Sequence, residues 1–138
     1  MKIENAKEFI NKHKDVILDL FLTYQMIEML LFLKLHLPEI PQTEEREDVL
    51  EQANKKINSK TFSKLKNKYL EQYPDDKYQI KFDLEVVGTQ RNSFMHSLWM
   101  VIALGEDKEN IAMVGEVILN DFSKQAHNLL EKVYKLPN

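Results

Sequence analysis

A chain of 138 residues and 16.4 kDa is the size of one domain and can bury a single hydrophobic core without disulfides or metal, so one domain is expected over 1–138. Hydrophobic residues at 43% and charged residues at 30% argue against disordered, fibrous and membrane classes. The lack of cysteine excludes a disulfide scaffold, a thiolate zinc site and a cysteine nucleophile, and a net charge of −3 excludes a chain that is basic throughout.

The first residues, Met1-Lys2-Ile3-Glu4-Asn5, have no apolar run before Val16, so no signal peptide is read and the cytoplasm is the expected compartment. Three glycines and four prolines are few for a β protein that needs a turn every dozen residues, so an all-α chain is expected. A short leading segment over about 3–13 runs into a long helix over about 15–37, stopped by Pro38. Asp19, Glu28, Lys34 and His36 interrupt its apolar run and would be expensive at bilayer depth, so it reads as the central buried helix.

Next comes a helix over about 43–57, with Glu44, Glu45 and Glu47 in its first turn and Leu50, Ala53 and Ile57 as its inward stripe. The segment 59–73 starts at Ser59, buries Phe62, Leu65, Tyr69 and Tyr73, and ends at Pro74-Asp75. From Tyr78 to Val87 an imperfect alternation permits a strand, although helix or irregular structure is favoured. Gly88 then allows a bend before a helix over 90–104, with Gly105 as its stop. The last helix, about 108–136, carries the stripe Ile111, Val114, Ile118, Phe122, Ala126, Leu129, Val133 and Leu136. Four or five helices are thus expected to form an up-and-down bundle.

The chemistry concentrates in Arg91-Asn92-Ser93-Phe94-Met95-His96. On a regular helix Asn92 and His96 share a face, about 40° apart, whereas Arg91 and His96 lie about 140° apart. Arg91 then points into the apolar stripe, where an unpaired guanidinium is costly, so it must precede the helix or meet a partner. Histidine titrates near neutral pH and can take the proton of a ribose 2′-hydroxyl or give one to a leaving oxygen. Arginine can hold a phosphate by two parallel hydrogen bonds, and asparagine can orient either group; no metal or cofactor is required. If the segment sits at a two-fold axis, two copies of it line one cleft between subunits.

The arrangement Arg91-Asn92-x-x-x-His96 resembles the Arg-x(4–6)-His signature of HEPN domains, in which a polar residue, often Asn, follows the Arg. That resemblance implies a HEPN-like helical bundle, a homodimer with a composite cleft and metal-independent endoribonuclease activity leaving a 2′,3′-cyclic phosphate. It also implies a toxin–antitoxin, CRISPR-linked or phage-exclusion setting, with an antitoxin or regulatory protein as a further partner. Arg91, Asn92 and His96 are the residues it carries over. Family toxins paired with a nucleotidyltransferase often have Tyr two places after the His, where this chain has Leu98, so silencing by modification there is not expected.

Each candidate also has a plainer reading. Arg91 can be a structural ion-pair residue, with Glu28 or Glu85 as partner, and the chain then becomes a non-catalytic helical binding or dimerisation module. Six lysines and no acid lie between Lys55 and Leu70, and Lys56, Lys60, Lys64 and Lys68 recur every four residues. That row suits an RNA backbone, but a solvated helix face needs no function to explain it. His13, His36 and His127 have no partner at metal-ligand spacing and receive no role. The methionines and Trp99 read as core or subunit contact.

Overall fold

The computed structural model describes residues 3–36, 62–105 and 108–137. Among them every regular element is helical. Helix α1 spans Ile3–His36, α2 Phe62–Gln72, α3 Lys81–Asn92, α4 Leu98–Leu104 and α5 Lys108–Tyr134. A π-turn over Ser93–Ser97 joins α3 to α4, so residues 81–104 form one continuous rod and the described residues make four rods in all. The expected helix over 43–57, with Lys56 and Lys60, lies outside the described residues.

Helix α1 breaks its regular geometry at His13 (φ −112°, ψ 18°), where the sequence divides a leading segment from the long helix. Its inner line, Leu20, Tyr24, Ile27, Leu31 and Leu35, follows the three- and four-residue spacing of one helix face and is fully enclosed or nearly so. By length and composition α1 is apolar enough to cross a membrane, yet that line is packed against the other rods. Roughly 180° away on the same helix, Leu18, Leu22, Met26, Met29 and Leu33 are exposed, a stripe of the kind that marks contact surfaces.

Helix α2 buries Phe62, Leu65 and Tyr69, three of the four residues expected; Tyr73 lies just past its end and is partly buried. Its chain then reverses through Pro74–Gln79, with left-handed backbone at Asp76 (φ 48°) and Gln79 (φ 55°). Asp76 Oδ1 fixes this turn by accepting hydrogen bonds from Tyr69 Oη (2.7 Å), Ile80 N–H (2.9 Å) and Lys81 N–H (3.1 Å). It thereby satisfies donors at the start of α3 that no residue of the helix can reach. Burial alone would raise the Asp76 pKa, but these three hydrogen bonds and the Lys81 charge outweigh it and hold the carboxyl below its ordinary value.

A depressed carboxylate contributes stability that is present above its unfolded pKa and lost as pH falls through the folded one. Asp76→Ala is therefore expected to cost about 1–2 kcal/mol at neutral pH, and less on acidification. Urea denaturation at pH 7 and in the acid range reads both.

Residues 78–87 do not form a strand, and Gly88 does not bend the chain: residues 78–80 complete the turn, and α3 runs from Lys81 through Gly88. Gly88 instead admits Phe62, whose Cδ1 would sit 3.3 Å from an added Cβ. In α5 the inward line is rotated from the expected stripe. Leu119, Ala126, Leu129 and Val133 are buried, whereas Val114 is 45% exposed. Gly115 takes the inner position because the Phe9 ring rests on it, 2.7 Å from where a Cβ would stand.

Polar ties fix the rods in register. Lys34 Nζ donates to Tyr134 O (2.6 Å) and Leu136 O, capping the end of α5. Lys132 pairs with Asp83, which joins the end of α5 to the start of α3.

Candidate active site

The rod 81–104 sends Ile80, Leu84, Val87, Phe94, Leu98 and Ile102 into the core. Arg91 falls on that same line, four residues after Val87 and three before Phe94. Beyond it the buried positions come four apart, a spacing that drifts about 40° per step on a regular helix. The π-turn takes this drift back: Leu98 N–H donates to Ser93 O, five residues earlier, and the wider turn keeps Phe94, Leu98 and Ile102 inward. The same widening brings His96 back toward the azimuth of Arg91, from the 140° of a regular helix.

Arg91 enters the interior with a partner. Its Nε lies 2.6 Å from Glu28 Oε1 of α1, and the two side chains are 30% and 28% exposed. The contact is an ion pair more than a directed hydrogen bond, because the Nε–H is not aligned on an acceptor. Of the two carboxylates expected as partners, Glu28 holds Arg91, and Glu85 pairs with Lys66 at 3.5 Å. Burial raises the Glu28 pKa, and the charge and hydrogen-bonding capacity of Arg91 offset part of the rise. One turn earlier on α1, the enclosed Tyr24 hydroxyl has no hydrogen-bond partner, and its ring packs on Phe94 at 5.6 Å between centroids. Burial raises its pKa as well, against the opposing pull of Arg91.

Asn92 and His96 are exposed. No hydrogen bond or ion pair among the described residues joins Arg91, Asn92 and His96 to one another, so within one protomer the motif divides into an inward cation and an outward amide and imidazole. Asn92 borders a cleft of about 230 Å³ between α2 and α3, which Phe62, Ser63, Lys66, Glu85 and Thr89 also line. Lys66 escaped the sequence reading because it stands outside the four-residue lysine row; only the pairing of α2 with α3 brings it beside Asn92. Of that row, Lys64 and Lys68 are described: Lys64 is exposed, and Lys68 is half-buried, 3.9 Å from Glu71.

A second polar cluster joins α1 to α5. His127 Nε2 lies 2.7 Å from Asp19 Oδ2 and 3.4 Å from Thr23 Oγ1, which itself donates to Asp19 O. Both neighbours meet the same ring nitrogen, so the three do not form a proton relay. No group of three or more metal-ligating side chains occurs among the described residues. The chain matches no protein-family model, no curated protein and no solved structure.

Proposed function

We propose that this chain is a metal-independent endoribonuclease of the HEPN type, acting as a homodimer in the cytoplasm in a toxin–antitoxin or phage-defence setting. The observation that carries the reading is the π-turn over Ser93–Ser97, which interrupts the rod inside the Arg91–His96 segment. Wide turns of this kind are uncommon and frequently stand at functional sites. Here one separates a half-buried guanidinium from an exposed imidazole.

In the proposed reaction His96 removes the proton of a ribose 2′-hydroxyl, and the oxygen attacks the adjacent phosphorus. The bond to the 5′-oxygen breaks, that oxygen takes up a proton, and a 2′,3′-cyclic phosphate remains. Arg91 stabilises charge growing on the phosphoryl oxygens, and Asn92 orients the reacting groups. The second copy faces the outer side of α4, where Met100 (60% exposed) and Leu104 (55% exposed) continue the line of His96 at four-residue steps. Across that face each motif meets the other's. Lys64, Lys66 and Lys68 of α2 supply positive charge for an RNA backbone.

The 2′-hydroxyl requirement gives the test. In chelator, a single-stranded RNA is expected to be cut with cyclic phosphate ends, while its 2′-O-methyl counterpart stays intact. Cleavage of both, or of neither, rejects the reading.

One observation favours a second reading, a non-catalytic helical binding or dimerisation module. The Glu28 carboxylate accounts for the Arg91 charge without any ligand.

A further inference from the structure

Buried side-chain polar atoms are nearly always paired, so those without an aligned partner call for a reason. Three such atoms are Tyr24 Oη, Gln90 Oε1 and Arg91 Nε. Two of them adjoin one carboxylate: Tyr24 is one turn before Glu28 on α1 and Arg91 touches Glu28, while Gln90 is the neighbour of Arg91 in sequence on α3. An interior polar site therefore stands where the rod enters its π-turn.

The path of the Arg91 side chain is informative. It leaves the helix on the core line between Val87 and Phe94, both buried, and its Nε is itself enclosed. Yet the side chain as a whole is 30% exposed. Part of the side chain thus reaches solvent although Nε does not. A guanidinium presents its donors in a rigid planar fork, so a carboxylate against the Nε edge leaves the terminal edge for a different anion.

We infer that Glu28, with Tyr24 beside it, is the positioning residue of Arg91: it holds the Nε edge inside the bundle and turns the terminal nitrogens outward to take a phosphodiester of single-stranded RNA. The inference rests on reading the motif as an RNA-handling site, but binding alone reads it out. A guanidinium already fixed in rotation loses less side-chain freedom when the phosphate arrives. Two parallel N–H···O bonds to phosphate are then available at once.

Plain electrostatics predicts the opposite sign. Removing a carboxylate 2.6 Å from the cation makes the site more positive, which by itself tightens polyanion binding. Positioning makes Glu28→Gln bind more weakly despite the more favourable charge.

The experiment uses the full chain and a 2′-O-methyl single-stranded oligoribonucleotide, which attack by a 2′-hydroxyl cannot cleave, with affinity followed by fluorescence anisotropy. Glu28→Gln is expected to weaken binding roughly tenfold, the equivalent of about 1.4 kcal/mol. Arg91→Lys keeps the charge and loses the fork, and it is expected to weaken binding similarly in the wild type but little further in the Glu28→Gln background. NMR supplies a second readout, because Arg46 and Arg91 are the only arginines in the chain. The Arg91 Nε–H signal, identified by its loss in Arg91→Lys, is expected to be sharp and slow to exchange in the wild type and broadened in Glu28→Gln.

Unchanged or tighter binding by folded Glu28→Gln overturns the inference, as does wild-type protein that does not bind the oligonucleotide. Should Glu28→Gln fail to fold, oligonucleotide added to wild type must move the Arg91 guanidinium signals; unmoved signals overturn the inference too. Binding that follows this pattern without cleavage of unmodified RNA leaves positioning intact and removes only the nuclease reading.

Discussion

Arg91→Ala is expected to destabilise the fold by about 2–3 kcal/mol, more than the loss of Asn92 or His96, which are both exposed. Breaking a fully buried ion pair typically costs about 3–5 kcal/mol, because the remaining charge is left without a partner in a poor solvent. Glu28 and Arg91 each keep nearly a third of their side-chain surface in water, and that screening reduces the cost. The loss should depend on pH in a stated direction. Burial already raises the Glu28 pKa, and Arg91 offsets part of that rise, so removing Arg91 raises it further. A carboxyl whose folded pKa lies above its unfolded value favours the fold below the unfolded pKa and loses that contribution as pH rises through the folded one. The deficit of Arg91→Ala is therefore greatest at neutral pH and narrows below about pH 4, where Glu28 is protonated in both states. What persists in acid measures lost packing of the arginine stem. Urea denaturation of wild type and variant across that range checks the sign; a deficit that grows on acidification would contradict the pairing with Glu28.

His96→Ala is expected to behave in the opposite way, leaving stability within about 0.5 kcal/mol of wild type because the imidazole is exposed and makes no hydrogen bond or ion pair among the described residues. RNA cleavage is expected to fall about 10²- to 10⁴-fold, the usual contribution of one positioned general acid or base. The two variants must be read together. A loss of activity in Arg91→Ala can follow from a weakened fold, whereas the same loss in a fully folded His96→Ala cannot. Matching thermal transitions with unequal cleavage rates is thus the diagnostic pattern. Growth arrest on expression of wild type, relieved by His96→Ala, is its cellular counterpart.

Much of the architecture was legible because long helices declare themselves by periodicity. The spacing of Phe62, Leu65 and Tyr69 located α2, and the pattern from Ala126 to Leu136 located the inner line of the second half of α5. Arg91 was legible in the same way: its register on an apolar line required a partner, and Glu28 was one of two carboxylates that fitted. Choosing between them needed the packing of α3 on α1 and of α2 on α3, which no local pattern encodes. Gly88 misled for a physical reason: it looks like a place where the chain bends, yet it lies within α3 and makes room for the Phe62 ring, as Gly115 within α5 does for Phe9. The π-turn was invisible because the same six residues write equally well as a regular helix; only the demand that Phe94, Leu98 and Ile102 all face inward selects the wider turn. Lys66 and the Asp19–His127 pair depend on contacts between residues far apart in the chain and left no local sign.

The most direct measurement is the initial rate of single-stranded RNA cleavage in chelator by wild type and by His96→Ala, purified identically and shown to melt at the same temperature. The expected result is cleavage by wild type that continues without metal and leaves cyclic phosphate ends, with His96→Ala at the level of buffer. Equal rates from the two proteins would mean that the imidazole takes no part and that any cleavage comes from a contaminant or another site.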